Sequence, residues 1–202
     1  MRPTGALLCG ATLAVLCAAC AHRSARDEAR YQTKPLCENA VRKSTFTKFR
    51  AGFGNEYSFN ELEALTELEQ KYIDYTAIEI DYPEESSEAA HQRFERSLAR
   101  KAAALDDVVQ SYEPFITAVN EEIVAMSLYR IGEAHEQFAI DIDNLRVPSG
   151  LDEQQKDQFC SALAKRSQPI WEAARAAYKK CATMPGTAKS QWRLQCEKKA
   201  AQ

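Results

Sequence analysis

Few residues in this chain carry side chains capable of chemistry, and their spacing argues against most reactions. His135-Glu136-Gln137-Phe138-Ala139 places a histidine and a glutamate as an HExxH zinc helix does, but Ala139 stands where the second histidine must be. Without that i, i+4 pair a metal loses a ligand. His135 falls on an apolar stripe, which suits a hydrogen-bonded core or groove histidine, and His91 opens a charged, solvated helix. Asp141 and Asp143, two apart, point to different helix faces, and the adjacent Asp106 and Asp107 diverge likewise, so neither pair makes an acid–base couple. Gly52-Phe53-Gly54-Asn55 has no preceding strand and reads as a loop, and Ser44, Ser161 and Ser167 lack a nucleophile-elbow context. The reading is of a non-enzyme with no cofactor and no metal.

The seven cysteines are more informative. Arg2 precedes an apolar, small-residue run from Ala6 to Ala19. That run is shorter than the ~20 residues a spanning helix needs, and it fits a secretory h-region. It ends in Leu16-Cys17-Ala18-Ala19-Cys20. This resembles the lipobox of bacterial lipoproteins, with Cys17 where leucine is usual. The resemblance implies a signal peptide over residues 1–19, acylation of Cys20, and a tether over 20–35. Ala21, not aspartate, follows the cysteine, which by the same resemblance implies sorting to the outer membrane with the body in the periplasm. Each acyl methylene buried in the bilayer adds about 0.8 kcal/mol, so two or three chains hold firmly. Cleavage after Ala19 or Ala21 by an ordinary signal peptidase, or an uncut anchor, is the alternative.

Cys37, Cys160, Cys181 and Cys196 remain, an even number that suggests disulfides in an oxidising compartment. Cys160 and Cys181 sit on one expected helix, ~31 Å apart at ~1.5 Å per residue, too far to bond. Two schemes survive: Cys37–Cys160 with Cys181–Cys196, or Cys37–Cys181 with Cys160–Cys196. The turn residues Met184-Pro185-Gly186 favour the first.

These residues are carried by helices. Val124, Leu128, Ile131, His135, Phe138, Ile142 and Leu145 recur at steps of three and four, as do Phe159, Leu163, Ile170, Ala174, Ala177 and Cys181. Arg146-Val147-Pro148-Ser149-Gly150 punctuates the two runs. Ser58-x-x-Glu61, Asp81-x-x-Glu84, Ser149-x-x-Asp152 and Asn120 mark helix starts. The spacing predicts helices near 36–51, 58–80, 84–117, 121–145, 152–182 and 189–200, with kinks or breaks at Pro114 and Pro169. No segment reads as a strand. The expected fold is all-α, an antiparallel helical stack over residues 36–202.

The net charge of −3 argues against a nucleic-acid binder. Its distribution is uneven: residues 21–50 and 146–202 are basic and residues 51–88 acidic. Such blocks favour an ordered stack or a charged partner surface. The basic stretch Arg42, Lys43, Phe46, Lys48, Phe49 and Arg50 reads as a solvated amphipathic face with a buried Phe pair, in preference to a membrane-proximal helix beside anionic head groups.

Leu128-x-x-Ile131-Gly132-x-x-His135 resembles the first helix of a tetratricopeptide repeat, and Ala174-x-x-x-Tyr178-x-x-Cys181 with Pro185 resembles the second. In that pattern the glycine admits a neighbouring helix. The insertion from Ala139 to about Gln168, with Val147-Pro148-x-Gly150-Leu151, resembles the terminal extended repeat of envelope tetratricopeptide proteins of gliding myxobacteria. The resemblance covers roughly residues 85–185. It implies a TPR-like α-solenoid fragment acting as a periplasmic scaffold or adaptor for another envelope protein. Tyr112, Tyr129, His135 and Tyr178 are then the candidate partner groove. The alternative is a peptidoglycan- or ligand-binding protein using the basic face from Lys165 to Lys199.

Overall fold

In the computed structural model the described residues are 37, 59–82, 87–118, 120–185 and 190–202. The chain divides into two compact units, Met1–Pro35 and Leu36–Gln202, and every described residue belongs to the second. The expectations for residues 1–35, among them the signal run and Cys20 acylation, lie outside the described residues. So do the helix expected over 36–51 (apart from Cys37), the basic stretch at 42–50, the Gly52–Asn55 loop and the Ser58 start.

Among the described residues the fold is all-α, with helices packed on one another and no strand. Helix α1 spans Phe59–Thr76 and buries Leu65, Leu68, Tyr72 and Tyr75, spaced at helical steps, on the core. It stops four residues before the expected end, because the chain leaves the helix to make other bonds. The Ile78 carbonyl accepts from Lys101 Nζ at 2.7 Å, and the Asp81 amide donates to Ser97 Oγ at 2.9 Å. The next described helix is capped by Ser87 rather than Asp81, and Glu84 of the Asp81-x-x-Glu84 reading lies outside the described residues. Helix α2 begins later, at Glu88–Tyr112, with the Ser87 hydroxyl accepting from the Ala90 amide.

Pro114 acts as expected. It has no amide hydrogen to continue the ladder, so α2 ends at Tyr112 and tightens into a 3-10 turn, Glu113–Thr117. Helix α3, Glu121–Asp143, starts where Asn120 Oδ1 accepts from the Glu122 amide. Helix α4, Glu153–Ala182, starts one turn position differently from the sequence reading. The cap is Asp152 rather than Ser149: its side chain accepts from the Gln155 amide, while Gln155 reaches back to the Asp152 amide. Gly150 supplies the turn before it at φ +90°, a region open chiefly to glycine. Pro169 breaks nothing; α4 runs through it, held on both sides by the buried Leu163, Ser167, Ala174, Ala177 and Tyr178. Helix α5, Gln191–Ala200, is capped by Ser190.

The organising element is α3, which packs against every other helix and the 3-10 turn. Residues 123–130 are buried without interruption, so α3 has no solvent face over two turns. The single stripe expected from its spacing is present, with Val124, Leu128, Phe138, Ile142 and Leu145 buried. It is only part of what α3 buries. Two disulfides staple the stack: Cys37–Cys160 and Cys181–Cys196, the pairing favoured by the turn at Met184-Pro185.

Candidate functional site

A helix surrounded by protein must match each of its charged side chains to a partner, since an unpaired buried charge is costly. On α3 the buried and half-buried charges find partners on all four other helices, and Arg130 and Glu133 also pair with each other. Arg130 is 2% exposed. Its Nε and Nη2 donate to the two oxygens of Glu69 on α1 at 2.7 and 2.5 Å, and its Nη1 donates to Glu133 at 2.5 Å. The fork of donors on guanidinium suits this two-carboxylate clamp. Aromatic rings enclose the cation, with Tyr72 at 4.6 Å and Trp192 at 5.4 Å from its centre. The Tyr112 hydroxyl donates to Glu69 at 3.0 Å and the Tyr129 hydroxyl to Glu133 at 3.1 Å.

One turn on, Glu136 accepts from the Tyr178 hydroxyl of α4 at 2.6 Å and from Lys199 of α5 at 2.8 Å. Asp141 pairs with Lys101 of α2 and accepts from Gln137 at 2.7 Å. Asp143 accepts from Trp171 of α4 at 2.8 Å, and Glu122 accepts from the Ser190 hydroxyl at the start of α5 at 2.8 Å. Burial raises the Glu133 carboxyl above its ordinary range, against the pull of Arg130, and raises Asp141 against the pull of Lys101. Burial also holds Tyr112, Tyr129 and Tyr178 firmly protonated, reinforced by the carboxylates beside them. This spine fixes register: each pair that crosses between helices is formed only when one particular residue of a neighbour lies alongside.

The proposed partner groove is corrected by these positions. Tyr112, Tyr129 and Tyr178 are 0–2% exposed and point inward, spent on the spine and on one another. The Tyr129 ring lies 5.8 Å from Tyr178 and 5.5 Å from Trp192. Tyr112 is met by Glu69 of α1 and Tyr129 by Trp192 of α5, so what was expected as a groove is covered here. Only His135 is part-exposed, with Nδ1 2.8 Å from the Ile131 carbonyl one turn back. The structure therefore brings together three of the four as core. Cys181 and Cys196 are fully buried, Cys37 is buried and Cys160 is half-buried. Cys20 lies outside the described residues.

No family model, no curated protein and no solved structure matches this chain. The described residues carry the rest of what can be said of the site. Among them no helix is long and apolar enough to cross a membrane, and no cluster of three or more His, Cys, Asp or Glu is placed to hold a metal ion.

Sequence reasoning passed over one surface feature. On the outer face of α2, Arg93, Arg96, Ser97 and Arg100 line an open cavity of about 230 Å³, closed on one side by Asp81. The arginines are exposed and Ser97 is buried beneath them. Arg93 Nε stands 3.9 Å from Asp81, while Arg96 and Arg100 pair with no carboxylate among the described residues. The spacing of three and then four was a legible signal for a one-sided cationic face.

Proposed function

We propose that the chain is an outer-membrane-anchored lipoprotein of the periplasm, whose TPR-like helical body serves as a protein–protein scaffold or adaptor in an envelope assembly. The observation that carries the compartment is the pair of disulfides. Bonds of this kind persist in oxidising compartments and are rare in the cytosol. The lipobox-like run ending at Cys20 supplies the export signal and the anchor in this reading. The close seating of Gly132 against Tyr178, where a Cβ would fall 2.7 Å from the ring, supports the repeat-like reading of α3 and α4.

The partner would meet exposed surface rather than the tyrosines. Incorporation of labelled palmitate into the wild-type chain, lost in Cys20→Ala, tests the anchor. Recovery of one stable partner from crosslinked envelopes tests the scaffold, and recovery of none counts against it.

A second reading, binding to peptidoglycan, is favoured by the exposure of Lys165, Arg166, Arg175, Lys179, Lys180 and Lys198. Pull-down on purified peptidoglycan with Lys179→Glu/Lys180→Glu as control separates the two. Lys199 belongs to neither surface, since Glu136 holds it.

A further inference from the structure

We propose that the cavity on the outer face of α2 binds a phosphate monoester group through Arg96 and Arg100, with Arg93 and Asp81 at its edge. This goes beyond the scaffold reading and does not depend on it. Arg93, Arg96 and Arg100 follow one another at steps of three and four, so their guanidinium groups share a face. Three cations crowded there repel, and Asp81 offsets only one of them, at 3.9 Å from Arg93. Arg96 and Arg100 are left without a carboxylate among the described residues.

Among the described residues the lining carries an excess of two positive charges, which matches a phosphate monoester at about −1.5 to −2 near neutral pH. A carboxylate would leave half of the excess in place. Paired guanidinium forks also fit phosphate oxygens two at a time, which a point charge on lysine does not. The cavity, about 230 Å³ and open to solvent, is smaller than the ~300–1,000 Å³ of ordinary ligand pockets. It suits a phosphate group with the remainder of its molecule outside. Its floor is fixed: the Ser97 hydroxyl donates to the Phe94 carbonyl at 2.8 Å and accepts from the Asp81 amide at 2.9 Å. Asp81 is thereby tied to α2, and the cavity edge is formed before any ligand arrives.

The test is calorimetric titration of the full, oxidised chain with inorganic phosphate, and with acetate at equal ionic strength. Binding of phosphate and not acetate is expected. Arg96→Ala/Arg100→Ala should weaken it about tenfold or more, since charge-assisted bonds are lost, while Lys156→Ala on α4 leaves it unchanged. Arg96→Lys/Arg100→Lys keeps the charge and removes the forks, and should also weaken binding, which secures the result if the alanine variant unfolds. No heat at millimolar phosphate, equal binding of acetate, or full binding by the double variants overturns the proposal. With a positive titration, pelleting on vesicles of phosphatidic acid in phosphatidylcholine, against phosphatidylcholine alone, assigns the source. Arginine-dependent pelleting points to a lipid headgroup, and its absence to a soluble phosphate ester.

Discussion

Gly132 of α3 lies directly against the ring of Tyr178 on α4. A Cβ on Gly132 would fall 2.7 Å from Cε1 and 2.8 Å from Cδ1. The ring cannot swing aside cheaply, because its hydroxyl is bonded to Glu136 and its face packs near Tyr129. Gly132→Ala thus sets two effects against each other. Helix propensity favours alanine by about 1 kcal/mol, while overpacking costs about 1–3 kcal/mol. The clash is with a pinned ring, so net destabilisation of about 1–2 kcal/mol is expected, read as a lower midpoint in urea. A variant as stable as wild type shows that Tyr178 can move.

Arg130 neutralises two carboxylates at once, and Glu133 is almost wholly buried. Arg130→Ala should therefore cost about 3–5 kcal/mol, the range for leaving a buried charge unpaired. Arg130→Ala/Glu133→Ala should cost less than the sum of the single changes. Strict additivity in the double-mutant cycle would mean that the pair is not coupled.

The disulfides differ in the chain they close, with sequence separations of 123 for Cys37–Cys160 and 15 for Cys181–Cys196. Constraint of the unfolded chain grows with loop length, from about 3 kcal/mol for a loop near 15 residues to about 4.7 for one near 100. Cys37→Ala/Cys160→Ala should accordingly lower the denaturation midpoint more than Cys181→Ala/Cys196→Ala. The reverse order would place the weight on packing at the buried Cys181–Cys196 bond instead.

Stability should also respond to pH through the spine. Glu133 and Asp141 are raised from their ordinary 4.5 and 3.8. A carboxyl raised by folding binds its proton more tightly in the native state. Its contribution is then most favourable below the unfolded value and is lost as pH climbs through the folded value. These two groups should make the chain less stable on moving upward from about pH 4.5, and Glu133→Gln should flatten that slope. Thermal melts from acid to neutral pH check this; parallel profiles for variant and wild type would refute it.

How far the fold could be read in advance depended on how local its causes are. The all-α class, the Asn120 start and the break at Pro114 come from residues within one or two turns of each other, and the sequence shows them. The favoured cysteine pairing rested on a turn four residues beyond Cys181. The spine was not visible. Read by period alone, Arg130, Glu133 and Glu136 belong to a solvent face. They are buried only because Glu69, 61 residues before Arg130, and Lys199, 63 residues after Glu136, come to meet them. The same distance effect misplaced the tyrosines, since a position on a helix does not tell a groove from a core. For the α2 cavity the arginine spacing was in plain view, but Asp81, 16 residues before Ser97, was not tied to it by any local pattern.

In a chain of stacked repeats each unit touches only its neighbours, and melting can start at one end and travel. With α3 touching every other described element, there is no end from which to begin. Heat or denaturant should dissolve these helices together in one sharp transition. A cut that frees α2 takes Lys101 away and strands the Asp141 charge inside all that remains.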